Sequence, residues 1–303
     1  MKKAIITGAT GLVGTALSKR LIEMNIEVLC LGRKELNSNE VKDIFGQEVT
    51  YIKMQMSSLE ELYERINKIN WFSGDECVFY NLAWAGFEGL TDGPFEVQMN
   101  NAAYCANAVK LAKKLKCIKF INAGTLEETY AEQYLNGESN LYVSSQVNYA
   151  IAKLASRDLC NMVAYLEKID YIHTRLSVPL KSDLSIGGYI AKTLLKIANG
   201  ESYDKPKNNQ LFDIIEDNDV ANAFYLIGLH GKNKSDYFIG TSVPLTLENY
   251  FENFKQVVLG LIPIKNMKIK NLDQGIFDIT ELKNDTGFLP TTNLINIANK
   301  LRN

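Results

Sequence analysis

The sequence predicts an α/β fold, a doubly wound parallel sheet followed by a smaller mixed region. Strand-like and helix-like segments alternate through residues 1–178, and this order forms parallel sheets covered on both faces. A glycine-rich turn joins the first strand to the first helix, and a long helical segment carries a tyrosine and a lysine four residues apart. Hydrophobic residues are 46% of the 303 residues, enough for a large core.

The elements of the first half follow from their apolar patterns. Residues 3–7 (KAIIT) form a short apolar run typical of a buried strand, and residues 12–24 have the 3.6-residue period of a helix. The same reasoning predicts further strands at 26–32, 48–54, 76–83, 117–124 and 170–178. It predicts helices at 58–69, 95–116 and 146–166.

After residue 178 the alternation changes. Helices are predicted at 187–200 and 219–229, with a short strand at 212–215 and a polar loop at 199–210. A further strand within 228–247 is expected to return to the sheet. We therefore predict two parts, residues 1–178 and residues 179–303, with the second packed over the ligand end of the sheet.

Composition excludes several classes of function. The net charge of -2 and the pI of about 5.9 argue against a nucleic-acid binder, which needs a basic stripe. The sequence has no run of apolar residues long enough to span a membrane, and the first apolar run breaks at glycines. The five cysteines are widely spaced and there are only two histidines. We therefore expect a reduced, cytoplasmic protein without a metal site.

The segment TGATGLVG (7–14) places Gly8, Gly11 and Gly14 between the first strand and the first helix. A turn of this kind needs residues without Cβ so that the backbone can approach a pyrophosphate and the helix can pack close to the sheet. The pyrophosphate then lies at the helix N-terminus. The spacing and its position predict a dinucleotide site.

The end of the second strand predicts which dinucleotide binds. In such folds an acidic residue commonly binds the adenosine ribose of NAD, but this strand ends at Leu31-Gly32-Arg33-Lys34. Gly32 leaves space for an added phosphate, and Arg33 offers a planar set of donors for a 2′-phosphate. We therefore expect NADP, with NAD as the second choice. The alternative is that Arg33 is an ordinary charge on a solvated loop.

Tyr149 and Lys153 lie on one face of the predicted helix 146–166, one turn apart. With 15 tyrosines in the chain, such a pair alone is a weak signal. The glycine turn at residues 7–14 makes a catalytic role for this pair the better interpretation. Together, TGATGLVG (7–14) and YAIAK (149–153) resemble the extended short-chain dehydrogenase/reductase family, whose members include NAD(P)-dependent epimerases, dehydratases and reductases of nucleotide-activated sugars.

Three further segments resemble that family: VFYNLAWAG (78–86), residues 100–125 and FDIIEDNDVANAF (212–224). The resemblance implies a Rossmann-type cofactor domain at 1–178 and a substrate-binding region at 179–303. It implies Tyr149 as the acid/base, Lys153 as the residue that lowers its pKa and binds the nicotinamide ribose, and Thr125 as a ligand of the substrate oxygen. The implied cofactor-binding residues are Gly8, Thr10, Gly11, Leu12, Val13, Gly14, Arg33, Leu82, Ala83, Tyr149 and Lys153.

Several positions depart from the family pattern and bear on the substrate. Gly124 stands where many members have serine, Asn81 replaces the usual histidine, and Trp84 is unusually bulky. Phe212 lies where many sugar-nucleotide enzymes have an arginine that binds the diphosphate. The frequent Tyr-Gly-Pro after the sixth strand is also absent.

The family implies 4-keto reduction or epimerisation at C4 of a nucleotide-activated sugar as the leading function. Thr125-Leu126-Glu127 also resembles the Thr-x-Glu of 4,6-dehydratases, with Glu127 as the base, although Leu126 replaces an aspartate and a surface glutamate is an equal alternative. A reductase of a non-sugar carbonyl and a non-catalytic NADP sensor are the remaining alternatives. The resemblance also implies a homodimer that pairs the helix at 95–116 with the Tyr149 helix.

Overall fold

A seven-stranded parallel sheet organises the molecule, as the sequence predicted. The structure, a computed structural model, describes residues 1–74, 76–86, 92–139, 144, 146–186, 188–206, 210–261, 274–291 and 297–298. The strands are β1 (Lys3–Thr7), β2 (Glu27–Gly32), β3 (Thr50–Lys53), β4 (Cys77–Asn81), β5 (Lys119–Thr125), β6 (Asp170–Leu176), β7 (Val178–Leu180), β8 (Leu211–Phe212), β9 (Ile214–Glu216), β10 (Asp236–Ile239) and β11 (Leu245–Thr246). The large sheet has the order β10-β6-β5-β4-β1-β2-β3.

Helices cover both faces of this sheet. They are α1 (Leu12–Glu23), α2 (Ser38–Phe45), α3 (Leu62–Lys68), α4 (Phe95–Lys114), α5 (Leu126–Leu135), α6 (Val147–Glu167), α7 (Tyr189–Ala198), α8 (Asp217–His230), α9 (Leu247–Val258) and α10 (Thr280–Thr286). None of the described helices is long and apolar enough to cross a membrane.

Alternate residues of each strand enter different cores. Ile6 of β1 packs with the buried residues of α1 and α8, whereas its neighbour Ile5 packs with those of α3, α4 and α6. The α4 and α6 helices also pack against each other. This burial on both faces explains why the strands read as continuous apolar runs.

Two helices of the first half were not predicted. The α2 helix begins with a capping box, in which Asn37 accepts hydrogen bonds from the first-turn amides and Glu40 accepts from the Asn37 amide. The α5 helix begins directly after β5, with Thr125 as its N-cap. The predicted helix 58–69 consists of a 3-10 turn at Met56–Glu61 followed by α3, because Ser58 has a non-helical backbone.

The chain after residue 178 forms a smaller apolar cluster and then rejoins the sheet. The cluster is built from α7, α9 and the short strands, which pair as β7 with β9 and β8 with β11. The β10 strand then pairs in parallel with β6, and α8 packs on α1. Within the predicted region 179–303, residues 187, 207–209, 262–273, 292–296 and 299–303 lie outside the described residues.

Candidate active site

The turn between β1 and α1 is a close backbone cradle. Gly8 has a φ of +70°, a conformation that favours glycine. A Cβ on Gly14 would overlap the carbonyl oxygen of Gly8. The α1 helix starts after Gly11, and among the described residues no side chain caps it. The amides of Leu12–Gly14 have no intrahelical acceptor, which is the arrangement that binds a pyrophosphate.

The loop after β4 lies directly beside this turn. A Cβ on Gly8 would be 2.9 Å from the nitrogen of Ala83. The Thr7 hydroxyl oxygen accepts hydrogen bonds from the amides of Leu82 and Ala83, at 3.1 and 3.2 Å. The two amide hydrogen bonds to Thr7 therefore hold the backbone of Leu82 and Ala83 next to the glycine turn, where the cofactor is predicted to bind.

The end of β2 differs in one respect from what the sequence suggested. Gly32 is buried, and the place where its side chain would project is filled by Tyr51, whose hydroxyl would be 2.6 Å from a Cβ there. That hydroxyl donates a hydrogen bond of 2.7 Å to the carbonyl oxygen of Lys34. The methyl group of Thr10 packs on the same spot, 3.2 Å from the added Cβ. The space beside Gly32 is thus occupied by the side chains of Tyr51 and Thr10, while Arg33 is exposed.

The predicted catalytic residues come together where β5 ends. Thr125 is the last residue of β5, and its side chain lies close enough to Tyr149 on α6 to lower the pKa of that phenol. Lys153, one turn further along α6, is 5% exposed, and its Nζ lies 5.7 Å from the centre of the Tyr149 ring. The Nζ donates a hydrogen bond of 2.7 Å to the carbonyl oxygen of Ala123. Three side chains predicted as one set therefore adjoin one another.

Burial shifts the pKa values of Tyr149 and Lys153 in opposite directions. It raises the pKa of the Tyr149 phenol, the nearby Glu128 carboxylate raises that pKa further, and the hydrogen bond with Thr125 opposes both. Burial also lowers the pKa of the Lys153 ammonium. From the sequence we expected Lys153 and the positive charge of a bound nicotinamide to lower the pKa of Tyr149, and this expectation stays a prediction.

The indole ring of Trp84 lies against both Tyr149 and Lys153. Lys153 Nζ is 3.9 Å from the ring centre, and the Tyr149 ring meets the indole edge-on with centres 5.9 Å apart. Trp84 Nε1 donates a hydrogen bond of 2.7 Å to Oε1 of the fully buried Gln98. Trp84, which is unusually bulky for its position in this family, therefore forms one wall of the site. Its ring makes a cation–π contact with Lys153.

Glu127 faces the same site from the first turn of α5. Burial raises the pKa of its carboxyl group, and a hydrogen bond with Ser144 acts in the opposite direction. Its Oε2 is buried and has no hydrogen-bond partner among the described residues. Its charge also contributes to raising the pKa of Tyr149. Buried carboxylate oxygens are rarely left without a partner, and such groups are enriched at functional sites.

Residues 4–240 match the sequence profile of the NAD dependent epimerase/dehydratase family. The chain belongs to this family. It is an enzyme of the extended short-chain dehydrogenase/reductase superfamily, which confirms the family predicted from the two motifs. The matched range contains every residue predicted for the cofactor and catalytic sites.

Solved structures of sugar-nucleotide epimerases have the same fold along the whole chain. UDP-glucuronic acid 4-epimerase from Bacillus cereus, in complex with NAD and a fluorinated UDP-sugar, is 16% identical with a TM-score of 0.73, covering 99% of this chain and 98% of the epimerase. UDP-glucose 4-epimerase from Thermotoga maritima, with UDP-glucose, is 17% identical with a TM-score of 0.71, covering 99% and 97%. At this identity the likeness shows the fold.

One relative of a different activity is similar over part of the chain. The 2-alkyl-3-oxoalkanoate reductase of Shewanella oneidensis is 28% identical over 148 residues, which are 48% of this chain and 35% of the reductase. The match therefore spans about a third of that reductase.

The structure also shows two residues, Asp92 and Asn101, that hold parts of the site in place and that the sequence did not indicate. The Asp92 carboxylate accepts hydrogen bonds from the amides of Asn148 and Tyr149, at 2.8 and 3.0 Å, and so caps the start of α6. The Asn101 side chain bonds both the amide and the carbonyl of Ala85, at 3.1 and 2.9 Å, and holds the loop that carries Trp84. Asp92 is 57 positions from Tyr149 in the sequence, so no local sequence pattern predicts this contact.

Proposed function

We propose that the protein is an NAD(P)-dependent oxidoreductase or epimerase that acts at C4 of a nucleotide-activated sugar. The observation that carries the proposal is the placement of Tyr149 and Lys153 at the end of β5: Lys153 Nζ lies 5.7 Å from the centre of the tyrosine ring and 2.7 Å from the carbonyl oxygen of Ala123. These groups lie at the carboxyl end of the parallel sheet, where ligands of such folds bind. The glycine cradle at residues 8–14 fits the pyrophosphate of a dinucleotide because its close backbone contacts leave no room for a Cβ at Gly8 or Gly14.

The mechanism assigns each side chain one task. Tyr149 exchanges a proton with the oxygen at the reacting carbon, and Thr125 orients that oxygen through its hydroxyl. Lys153 spends one N–H on the carbonyl of Ala123 and offers its other donors to hydroxyls of the cofactor ribose. A nicotinamide cofactor, when bound beside Tyr149 and Lys153, would supply or accept the hydride, and the positive charge of its oxidised form would favour the phenolate.

The sugar-nucleotide class is supported by the family and by structural neighbours that carry UDP-sugars. One feature weakens it. Phe212, at the position where many relatives have a diphosphate-binding arginine, pairs with Leu245 across β8 and β11 and packs on the apolar cluster of the C-terminal region. Reduction of a non-sugar carbonyl is therefore the second candidate, favoured also by the partial match to the oxoalkanoate reductase.

The deciding experiment incubates the purified protein with NADPH or NADH and a panel of carbonyl substrates. The panel contains 4-keto nucleotide sugars, the corresponding 4-hydroxy nucleotide sugars, and a 2-alkyl-3-oxoalkanoate. Consumption of reduced cofactor with the 4-keto sugars supports a reductase, and conversion of hydroxy sugars without net consumption supports an epimerase. Activity with the oxoalkanoate alone would overturn the sugar assignment.

The unpartnered Oε2 of Glu127 supports dehydration as a third candidate. In that reaction the carboxylate removes a carbon-bound proton beside a transient ketone. Glu127→Gln should then stop dehydration and C5 proton exchange while simple 4-keto reduction continues. Solvent deuterium that enters the product at an unchanged rate in this variant would refute the base role.

We further propose NADP as the preferred cofactor. Arg33 is exposed at the end of β2, where it can reach a 2′-phosphate with a planar pair of donors. The neighbouring structures carry NAD, so the preference rests on this chain's own residues.

We also propose a homodimer formed through α6. Leu159, Met162, Tyr165 and Leu166 are exposed by 46%, 60%, 68% and 71%. Their spacing of three and four places them on one face of the helix, and exposed apolar patches of this kind mark interaction surfaces. Light scattering should give twice the chain mass at micromolar concentration, and Met162→Glu with Leu166→Glu should give a monomer. A monomer mass for the wild type would refute the proposal.

A further inference from the structure

The turns that end four of the helices share one backbone geometry. Each contains a residue in the left-handed region, with φ between +54° and +58°: Asn25 after α1, Asn70 after α3, Lys116 after α4 and Lys168 at the end of α6. In each turn the next amide donates to a carbonyl five residues earlier. Glycine or asparagine is usual at such a position, because a Cβ disfavours this conformation. The turns after α1 and α3 follow this rule, whereas those of α4 and α6 carry a lysine.

A third lysine has the same backbone conformation nearby. Lys234, in the turn before β10, has a φ of +71°. Its amide donates a hydrogen bond of 2.7 Å to the carbonyl oxygen of Tyr171, near the start of β6. The strands β5, β6 and β10 adjoin one another in parallel, so they begin at one edge of the sheet, which we call the amino edge. Lys116, Lys168 and Lys234 therefore stand in a row along the amino edge.

Further lysines lie beside this row. The three lysines of the row are exposed, and Lys113 and Lys114 add two exposed lysines in the last turn of α4. The Nζ of Lys113 donates a hydrogen bond of 3.0 Å to the carbonyl oxygen of Lys168, so the ends of α4 and α6 meet. The positive charges of both helix ends are thereby brought to one place.

Fewer carboxylates lie at this edge among the described residues. Glu167 and Asp170 flank Lys168 in the sequence. Asp236, at the start of β10, is already paired with Arg175 at 2.7 Å. The amino edge beside β5, β6 and β10 is therefore a basic surface, although the chain as a whole has a net charge of -2.

Exposed apolar side chains continue the same surface. Ile69, Phe72 and Ile118 are exposed by 49%, 63% and 44%. The amide of Ile118 donates a hydrogen bond of 2.9 Å to the carbonyl oxygen of Cys77, at the start of β4. The Ser73 hydroxyl is hydrogen-bonded to the carbonyl oxygen of the residue before Lys116. The turn before β4 and the turn before β5 thus adjoin, and large apolar side chains lie beside the lysine row.

We propose that the amino edge is a docking surface for an anionic lipid bilayer. The lysine row would bind lipid phosphates, and Ile69, Phe72 and Ile118 would enter the interfacial layer, since membrane-surface proteins combine basic and apolar side chains in this way. A lysine at a helix C-terminus also interacts favourably with the helix dipole. That interaction does not account for Lys234, which precedes a strand, or for the exposed Phe72. A soluble polyanion would need the lysines alone.

The position of this surface is compatible with activity at the candidate site. Thr125 is the last residue of β5, and Lys116 lies just before the first. A strand of seven residues is about 20 Å long, so the two ends of β5 are separated by that distance. A bilayer bound at the amino edge would leave the carboxyl end of the sheet open to solvent. The inference goes beyond the proposed function and does not depend on it.

Co-sedimentation with lipid vesicles tests the proposal. The full chain should sediment with vesicles of phosphatidylglycerol and phosphatidylcholine at low ionic strength, and much less with phosphatidylcholine alone. Added salt should release it, because salt screens charges at a surface. In Lys116→Asn/Lys168→Asn/Lys234→Asn the left-handed turns are kept, since asparagine accepts that conformation. The partition coefficient of this triple variant should fall about a hundredfold.

Two further variants separate charge from location and from apolar contact. Lys192→Gln/Lys196→Gln/Lys255→Gln removes the same charge from exposed positions on α7 and α9 and should bind as the wild type does. Phe72→Ala changes an exposed side chain, so the fold is kept, and binding to the anionic vesicles should weaken several-fold with the same salt dependence.

Three results would overturn the proposal. The first is wild-type protein that stays in the supernatant with the anionic vesicles at low salt. The second is an equal loss of binding in the two triple variants, which would mean a general charge effect. The third is Phe72→Ala that binds the vesicles as tightly as the wild type while heparin, a soluble polyanion, competes fully; the lysines would then bind polyanions and not a bilayer.

Discussion

The two halves of the candidate site, the glycine turn and the Tyr149–Lys153–Thr125 cluster, are built by different means. The glycine turn is made of backbone within residues 7–14 and works by leaving side chains out. The cluster is made of side chains from β5 and α6, and its chemistry depends on the charges around it. Substitutions in the turn should therefore act through steric overlap, and those in the cluster through proton transfer.

The largest effect is expected from Tyr149→Phe, which removes the hydroxyl alone. General acid–base groups contribute about 10²- to 10⁴-fold, so kcat should fall by that range. Cofactor affinity, measured by titration of NADPH fluorescence, should stay within a few fold because the glycine turn is untouched. A variant that kept more than about a tenth of the wild-type rate would remove Tyr149 from the mechanism.

Gly14→Ala should disrupt the glycine turn, the other half of the candidate site. The added Cβ would overlap the carbonyl of Gly8, a backbone atom that has little freedom to move. Forced overlap of this kind typically costs about 1–3 kcal/mol of unfolding free energy, and cofactor affinity should fall with it. Gly188→Ala is the matched control, because nothing lies within 4 Å of a Cβ there. Equal denaturant midpoints for the two variants would contradict the steric account.

Arg33→Ala should change the preference between NADPH and NADH without altering the glycine turn or the Tyr149–Lys153–Thr125 cluster. A charge-assisted pair with a phosphate is worth roughly 1.5–3 kcal/mol, so NADPH affinity should fall about ten- to a hundredfold. NADH affinity should change little, and wild type should bind NADPH more tightly than NADH. Equal wild-type affinities would withdraw the NADP proposal. A loss equal for both cofactors would mean that Arg33 contacts only the adenine.

Trp84→Leu should have the smallest effect of the four. It removes a cation–π contact with Lys153 worth about 1 kcal/mol, so the rate should fall a few fold. Trp84→Phe keeps an aromatic face and should lie between Leu and wild type. Trp71→Phe, a buried tryptophan in the α3 face of the core, is the control for general loss of packing. A rate for Trp84→Leu equal to wild type would show that the ring only fills space.

Much of the fold could be predicted because its signals are local. The apolar runs that became β1, β2 and β4–β6 are bounded by turn residues, and the glycine spacing at 7–14 encodes its own geometry. The α2 helix was missed although Asn37 and Glu40 carry a readable capping box. The α5 helix was missed because it follows β5 without a break at Thr125.

By itself the sequence determined the parallel α/β architecture, the glycine turn and the face shared by Tyr149 and Lys153, since these depend on periods of two to four residues. Only the tertiary structure decided the surroundings of that pair. The contact of Glu128 with His173 spans 45 positions and that of Lys153 with Ala123 spans 30. Such contacts depend on the order of the strands in the sheet and on their register, and no local segment of the sequence determines that order or that register.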